Sequence, residues 1–295
     1  MKVLFNSKFL NHNVDSEAEG AYRIEQFPNK YENRDRNGEE YITLVHSKEY
    51  KQLIKEGCKK SEMLAEVQLN PASYDAAISA VGLTVQASEY NDFAVVRPPG
   101  HHAGRERAAG FCLFNNIAIA SQKLVNEGKK VFILDIDGHH GDGTQAIFYN
   151  SDQVYYFSIH QAYTYPFTGL PNETGEGKGE GFTTNIPLMA GAGDKDFMKV
   201  IDQAIVKAKE FEADVIAVSA GFDAYKKDRL LALKYSMKSY YECAFKLRRS
   251  FRNIFAVLEG GYHLEIMDCV EIFIEGIKVG ARPPKDRFDH SMSLG

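Results

Sequence analysis

Residues 135–142 read Asp-Ile-Asp-Gly-His-His-Gly-Asp, a run of carboxylates and imidazoles spaced by glycine. On an extended backbone, residues two apart point to the same side, so Asp137 and His139 can converge on one ion. Carboxylate oxygen and imidazole nitrogen suit zinc, and ferrous iron nearly as well. Alone, the run also reads as a helix cap followed by a surface histidine. Asp223, at the end of Ser-Ala-Gly-Phe-Asp (219–223), supplies a third ligand of the right type. Two aspartates and one histidine leave a coordination position open, which is the mark of a catalytic metal site.

His101 and His102 follow Pro-Pro-Gly, which keeps their loop stiff and extended. Five of the nine histidines are His101, His102, His139, His140 and His160, all next to predicted strand ends. Imidazoles so placed are suited to proton transfer near neutral pH. Tyr262 stands behind Gly260 and Gly261, which let the backbone approach a ligand. Its hydroxyl can donate to a developing oxyanion; the alternative is an ordinary core tyrosine.

The elements that must carry these residues are short apolar runs at 1–5, 92–96, 131–135, 154–159, 215–219 and 254–258, read as buried strands. Helical stretches lie between most of them, at 73–87, 115–126, 144–149, 195–211, 236–251 and 265–279. This alternation predicts an α/β fold, a mostly parallel sheet with helices on both faces. Ligands of such sheets gather beyond the carboxyl ends of the strands, where all the residues above fall. The expectation is one domain over 1–295, with a glycine-rich surface loop at 169–181 and a polar tail over 281–295.

With 44% hydrophobic residues and a net charge of −5, the chain can build a sizeable core and carries no basic field to attract nucleic acid. No apolar run is long enough to span a bilayer, and residues 1–20 are too polar for a signal peptide. Four widely spaced cysteines without a C-x-x-C pair read as free thiols in a reducing, cytoplasmic setting.

Five segments in order, RPPGHHA (97–103), GFCLFNN (110–116), DIDGHHGDGT (135–144), SAGFD (219–223) and LEGGY (258–262), resemble the signature set of histone deacetylases and their bacterial acetylpolyamine amidohydrolase relatives. The resemblance implies the arginase/deacetylase fold and a zinc-dependent hydrolase of acylated amines. It puts the zinc ligands on Asp137, His139 and Asp223. The histidine pair becomes His101 and His102, backed by Asp135 and Asp142, with His102 moving the proton and His101 acting as electrostatic partner. Tyr262 becomes the carbonyl-polarising tyrosine. A structural potassium ion is implied at Asp135, Asp137, His139, Ser158 and Ile159, largely through backbone carbonyls. The substrate channel falls on Gly110, Phe111, Leu230, Gly260 and Gly261, with Tyr165 or Phe167 as its other wall.

Two segments depart from the family pattern. Many relatives carry His-Pro-Glu where this chain has Ser-Glu-Ala-Glu-Gly-Ala-Tyr-Arg (16–23), and the segment 57–71 is shorter than the usual substrate-gripping loop. Both are expected at the pocket rim, where they bear on substrate rather than chemistry. A two-manganese, arginase-like hydrolase needs another carboxylate two residues after Asp223, where Tyr225 stands. A silent acyl-lysine-binding module would have lost a histidine, a ligand or the tyrosine, and all are present. Substrates stay open among acetyl-lysine peptides, acetylpolyamines and small acylated metabolites. Leu230 stands where one polyamine-specific branch has an acidic gatekeeper, whereas Tyr-Pro-Phe (165–167) and Asn-Glu-Thr-Gly-Glu-Gly (172–177) look closer to the polyamine type.

Overall fold

The structure, a computed structural model, describes residues 1–12 and 16–281. The polar tail expected over 281–295 therefore lies, apart from Ala281, outside the described residues. The first half of the chain forms β1 (Val3–Leu4), α1 (Lys48–Lys59), a hairpin of β2 (Met63–Leu64) and β3 (Val67–Gln68), α2 (Pro71–Tyr90), β4 (Phe93–Ala94), α3 (Asn116–Asn126) and β5 (Val131–Asp135). There follow α4 (Asp142–Phe148), β6 (Val154–Gln161), β7 (Thr183–Leu188), α5 (Asp194–Glu210), β8 (Val215–Ala220), α6 (Met237–Ser250), β9 (Ile254–Leu258) and α7 (Ile266–Gly280).

Seven strands make one sheet in the order β1-β4-β9-β8-β5-β6-β7, and every pairing is parallel. Every residue of β5, β8 and β9 is buried, so both faces of the sheet centre are covered. The covering helices pack among themselves in two groups, α1 with α2 and α3, and α5 with α6 and α7. The fold is thus the α/β architecture that the alternation predicts.

Three elements escape the sequence reading. Thr183–Leu188 is the edge strand β7, α1 follows a Ser47 cap whose hydroxyl accepts from the Tyr50 amide, and the segment 57–71 contains the β2–β3 hairpin. The sheet order explains how distant motifs meet. β4, β9, β8 and β5 are successive neighbours, and each ends in one of the motif loops.

Candidate active site

The carboxyl ends of β5 and β8 bring Asp137, His139 and Asp223 together, their ligand atoms all within 4.8 Å of one another. Backbone amides aim the carboxylates: Gly260 N donates to Asp137 Oδ2 (2.7 Å), His139 N to Asp137 Oδ1 (2.8 Å) and Gly138 N to Asp223 Oδ1 (2.5 Å). His139 Nδ1 lies 2.6 Å from Asp223 Oδ2 and 3.4 Å from Asp137 Oδ1. Two buried carboxylates this close cannot share full charge comfortably. Burial and then the charge of Asp137 push Asp223 up to about 7. At His139 burial opposes a charged ring, but Asp223 and Asp137 outweigh it and hold the pKa near 10. The same concentration of negative oxygen suits a divalent cation, so the donor set fits the implied metal. No second cluster of this kind occurs among the described residues. Tyr225 is buried against His263, with ring centroids 4.8 Å apart, which leaves the arginase-like reading without its extra ligand.

The two histidines lie beside the triad with ring centroids 4.0 Å apart, each on its own carboxylate. His101 Nδ1 is 3.1 Å from Asp135 Oδ2, and His102 Nδ1 is 2.8 Å from Asp142 Oδ1. Their environments push them apart. Burial lowers the basicity of both, but at His101 the charges of Asp137 and Asp135 win and raise it well above the usual value. At His102 burial, reinforced by the charge on His101, wins and lowers the pKa to about 3, so this ring is neutral. Glu259, fully buried, accepts from Gly100 N (2.7 Å), His101 N (3.1 Å) and Ser219 Oγ (3.1 Å), and so fixes the His101 loop to the sheet.

A cavity of about 190 Å³ opens above this floor, lined by Glu66, His102, Gly110, Phe111, His139, Tyr165, Leu230 and Tyr262. Tyr165 stands edge-on to His102 at 5.2 Å, and Phe111 edge-on to Tyr262 at 6.0 Å. Gly110, at φ +52°, is needed here, because a Cβ would collide with the His102 ring. Tyr262 is held from both sides. Its amide donates to Asp228 Oδ2 (2.7 Å), and the Arg23 guanidinium lies 5.1 Å from its ring centre.

Several sequence expectations need correcting. Phe167 is not the other wall; it is 77% exposed and belongs to a separate groove with Tyr163, Leu170 and Met189, which leaves Tyr165 alone in that role. Gly260 and Gly261 do not line the channel. Gly260 backs the triad, where a Cβ would stand 2.6 Å from Asp137 Oδ2, and the Gly261 carbonyl accepts from Arg23 Nε (2.6 Å). Within the segment 16–23, Glu19 and Arg23 turn inward: they are buried, ion-paired with each other and, through Glu19, with Arg97. The hairpin at 57–71 does reach the rim. The Ala65 carbonyl accepts from Phe111 N (3.0 Å), and Glu66 Oε2 from Gly110 N (2.8 Å). Glu66 carries no signal in the sequence, and the buried Arg23–Glu19 pair only the four-residue spacing of its members. Asp135, the last residue of β5, is in register with Ser158 inside β6; both are positions implied for potassium.

A carboxylate–imidazole triad and two carboxylate-backed histidines at the floor of an aromatic-walled pocket, set on the ends of a parallel sheet, define an α/β protein with a hydrolase-type centre. The family model of the histone deacetylase domain matches residues 14–277, and the chain belongs to that family. It is 41% identical over 241 residues to a "Probable deacetylase" of Archaeoglobus fulgidus, covering 77% of this chain and 67% of that protein. Acetylpolyamine amidohydrolase 1 of Pseudomonas aeruginosa is 36% identical over 228 residues, covering 74% of this chain and 66% of that one. The solved HDA15 HD domain superposes with a TM-score of 0.88 at 30% identity, covering 94% of this chain and 91% of its own. The chain spans only about two fifths of the histone deacetylases 18 and 5 of Arabidopsis thaliana and of histone deacetylase HDA1 of Saccharomyces cerevisiae.

Proposed function

We propose that this chain is a zinc-dependent amidohydrolase that removes acetyl or similar acyl groups from an acylated amine such as acetyl-lysine. The observation that carries the reading is the carboxylate-held His102 beside the Asp137–His139–Asp223 triad, both at the pocket lined by Phe111, Tyr165 and Tyr262. Zinc, or ferrous iron in its place, held by those three residues supplies Lewis acidity, making a water more acidic and polarising the acyl carbonyl. His102 accepts the proton of the attacking water at Nε2 and returns it to the leaving amine. Asp142 and Asp135 fix which ring nitrogen of each histidine carries its proton, and His101 contributes charge. The Tyr262 hydroxyl donates to the oxyanion as it develops. Phe111, Tyr165 and Leu230 enclose the aliphatic stem of the substrate and exclude water.

The reading includes a single catalytic domain, supported by the one seven-stranded sheet. It includes a structural potassium ion on the carbonyls of Asp135, Asp137, His139, Ser158 and Ile159, supported by the pairing of Asp135 at the end of β5 with Ser158 of β6. A cytoplasmic setting is supported by four buried, unpaired thiols. Among the described residues, no helix is long and apolar enough to cross a membrane. Acetylpolyamines are the second substrate class, favoured by the acidic Glu66 at the pocket mouth and opposed by Leu230.

The test is metal removal followed by kinetics on matched substrates. Chelation should abolish amide hydrolysis, and one equivalent of zinc, cobalt or ferrous iron per chain should restore it. Acetyl-lysine peptide, acetylputrescine and acetylspermidine would then be ranked by kcat/KM. Full activity in chelated protein, or two tightly held catalytic ions, would overturn the reading, and a polyamine preference would reverse the order of substrates.

A further inference from the structure

The two histidine–carboxylate pairs are supported unequally. Asp135 is fully buried and held by neutral donors: Tyr156 OH reaches its Oδ2 at 3.0 Å and Asp137 N its Oδ1 at 3.1 Å. Asp142, the first residue of α4, lies close to solvent, and its two oxygens are divided. Oδ1 meets His102 Nδ1 at 2.8 Å, while Oδ2 accepts from the Arg107 guanidinium. No other side chain holds that second oxygen among the described residues.

Arg107 reaches Asp142 from a preset position. It closes a tight turn in which Gly104 N donates to the Arg107 carbonyl (2.9 Å). That turn is pinned by Arg105, whose guanidinium donates to the carbonyls of Val45 (3.2 Å) and Ile147 (3.1 Å). The Arg107 side chain is itself 58% exposed, and exposed ion pairs add little to stability. Its charge is directed inward all the same, onto the carboxylate that orients the proton-transfer ring.

We propose that Arg107 is a positioning residue for the hydrolytic reaction: by holding Asp142 Oδ2 it keeps Oδ1 on His102 Nδ1 and leaves His102 Nε2 for the proton transfer. Without the guanidinium, Asp142 is free to turn its carboxylate towards water, and the His102 ring loses the partner that fixes its tautomer and angle. Proton transfer tolerates little misplacement, so the penalty falls on turnover. The inference rests on the reading of His102 given above.

Arg107→Met should lower kcat about 10- to 100-fold, with KM changed less than about twofold. Its melting temperature should stay within about 4 °C of the unaltered protein. Arg107→Lys should recover part of the loss, since it keeps the charge but not the planar fork. In a His102→Ala background, Arg107→Met should cost nothing further, because it acts through that ring. A 15N-imidazole spectrum gives a readout independent of turnover. His102 should show a single tautomer, protonated at Nδ1, in the parent and a mixture in Arg107→Met. A raised KM with intact kcat would make Arg107 a substrate contact instead and overturn the proposal. Full additivity with His102→Ala, or an unchanged tautomer, would also overturn it. Should Arg107→Met fail to fold, Arg107→Gln read by the same spectrum decides the matter. Normal turnover in His102→Ala would sink the proposed function itself, whereas normal turnover in Arg107→Met beside a crippled His102→Ala sinks only this inference.

Discussion

Tyr262 shows most sharply how a side chain can matter to rate without mattering to binding. The acyl oxygen gains charge only as water attacks, so a hydrogen bond to it strengthens in the transition state. Loss of one oxyanion donor typically costs about 3–4 kcal/mol, so Tyr262→Phe should slow kcat roughly 100- to 1,000-fold. The ring remains, and with it the Arg23 contact and the edge packing on Phe111, so affinity for a non-hydrolysable acyl analogue should hardly change. Measuring both quantities separates the roles: intact turnover would remove Tyr262 from the chemistry, and lost affinity alone would make it a binding residue. Gly260 and Gly261 precede it and leave the backbone there intrinsically free. In the structure the Tyr262 amide is tied to Asp228 and the Gly261 carbonyl to Arg23, so the backbone at the hinge is held.

At the scale of elements, β5 and β9 can be read from sequence to their last residue, because Val-Phe-Ile-Leu-Asp and Ile-Phe-Ala-Val-Leu are apolar and buried on both faces. β7 could not be read this way. Thr-Thr-Asn-Ile-Pro-Leu lies at the sheet edge, half exposed, and its Pro187 argues against a strand. The hairpin was hidden for another reason, since its turn depends on Ala65 and Glu66 at positive φ, which neither residue type advertises. The triad and the histidine pair were legible because each strand ends in its motif. The pocket wall was ambiguous because Phe167 turns outward at φ +64°, breaking the two-residue alternation that would set it beside Tyr165. Gly110 joins the hairpin to the His102 ring, and Gly110→Ala tests that junction. The new Cβ would stand 2.8 Å from His102 Cγ in a left-handed conformation. Displacement of the ring should cut kcat by about 10- to 100-fold. The backbone strain should cost about 1–2 kcal/mol in a urea titration. Parent-like turnover would mean that the rim yields without disturbing the histidine.

At the scale of the whole molecule, acid should loosen the fold through buried neutral histidines. Burial holds His46 down to about 4, and its ring is fully used, with Nε2 accepting from Asn115 N (2.9 Å) and Nδ1 donating to the Arg105 carbonyl (3.0 Å). His12 is held down to about 3 by burial and then by Arg97. A histidine depressed in the folded state takes up its proton first in the unfolded chain. Its contribution is therefore complete above about pH 6.5 and is lost as pH falls towards the folded value, at about 1.4 kcal/mol per pH unit. Asp223 and Glu259, pushed up to about 7, work in the opposite sense over part of the same range. The share of His46 is best read as a difference. Urea midpoints of the parent and His46→Gln should converge as pH falls from 6.5 to 4.5, and parallel curves would refute the assignment.

The triad, the histidine pair and Tyr262 all sit on loops that leave the carboxyl ends of β4, β9, β8 and β5. Tyr165 follows the carboxyl end of β6, and only Glu66 comes from elsewhere, the β2–β3 hairpin. One return at the opposite ends of the strands, 126–129, is exposed throughout, and beside Gly128 there is open space. Front and back of the molecule are thus assigned before any partner or support meets it. A chain tethered to a solid surface through 126–129 presents its pocket mouth to the solution, so a layer built in this way is oriented by topology alone and leaves every pocket open to reagents.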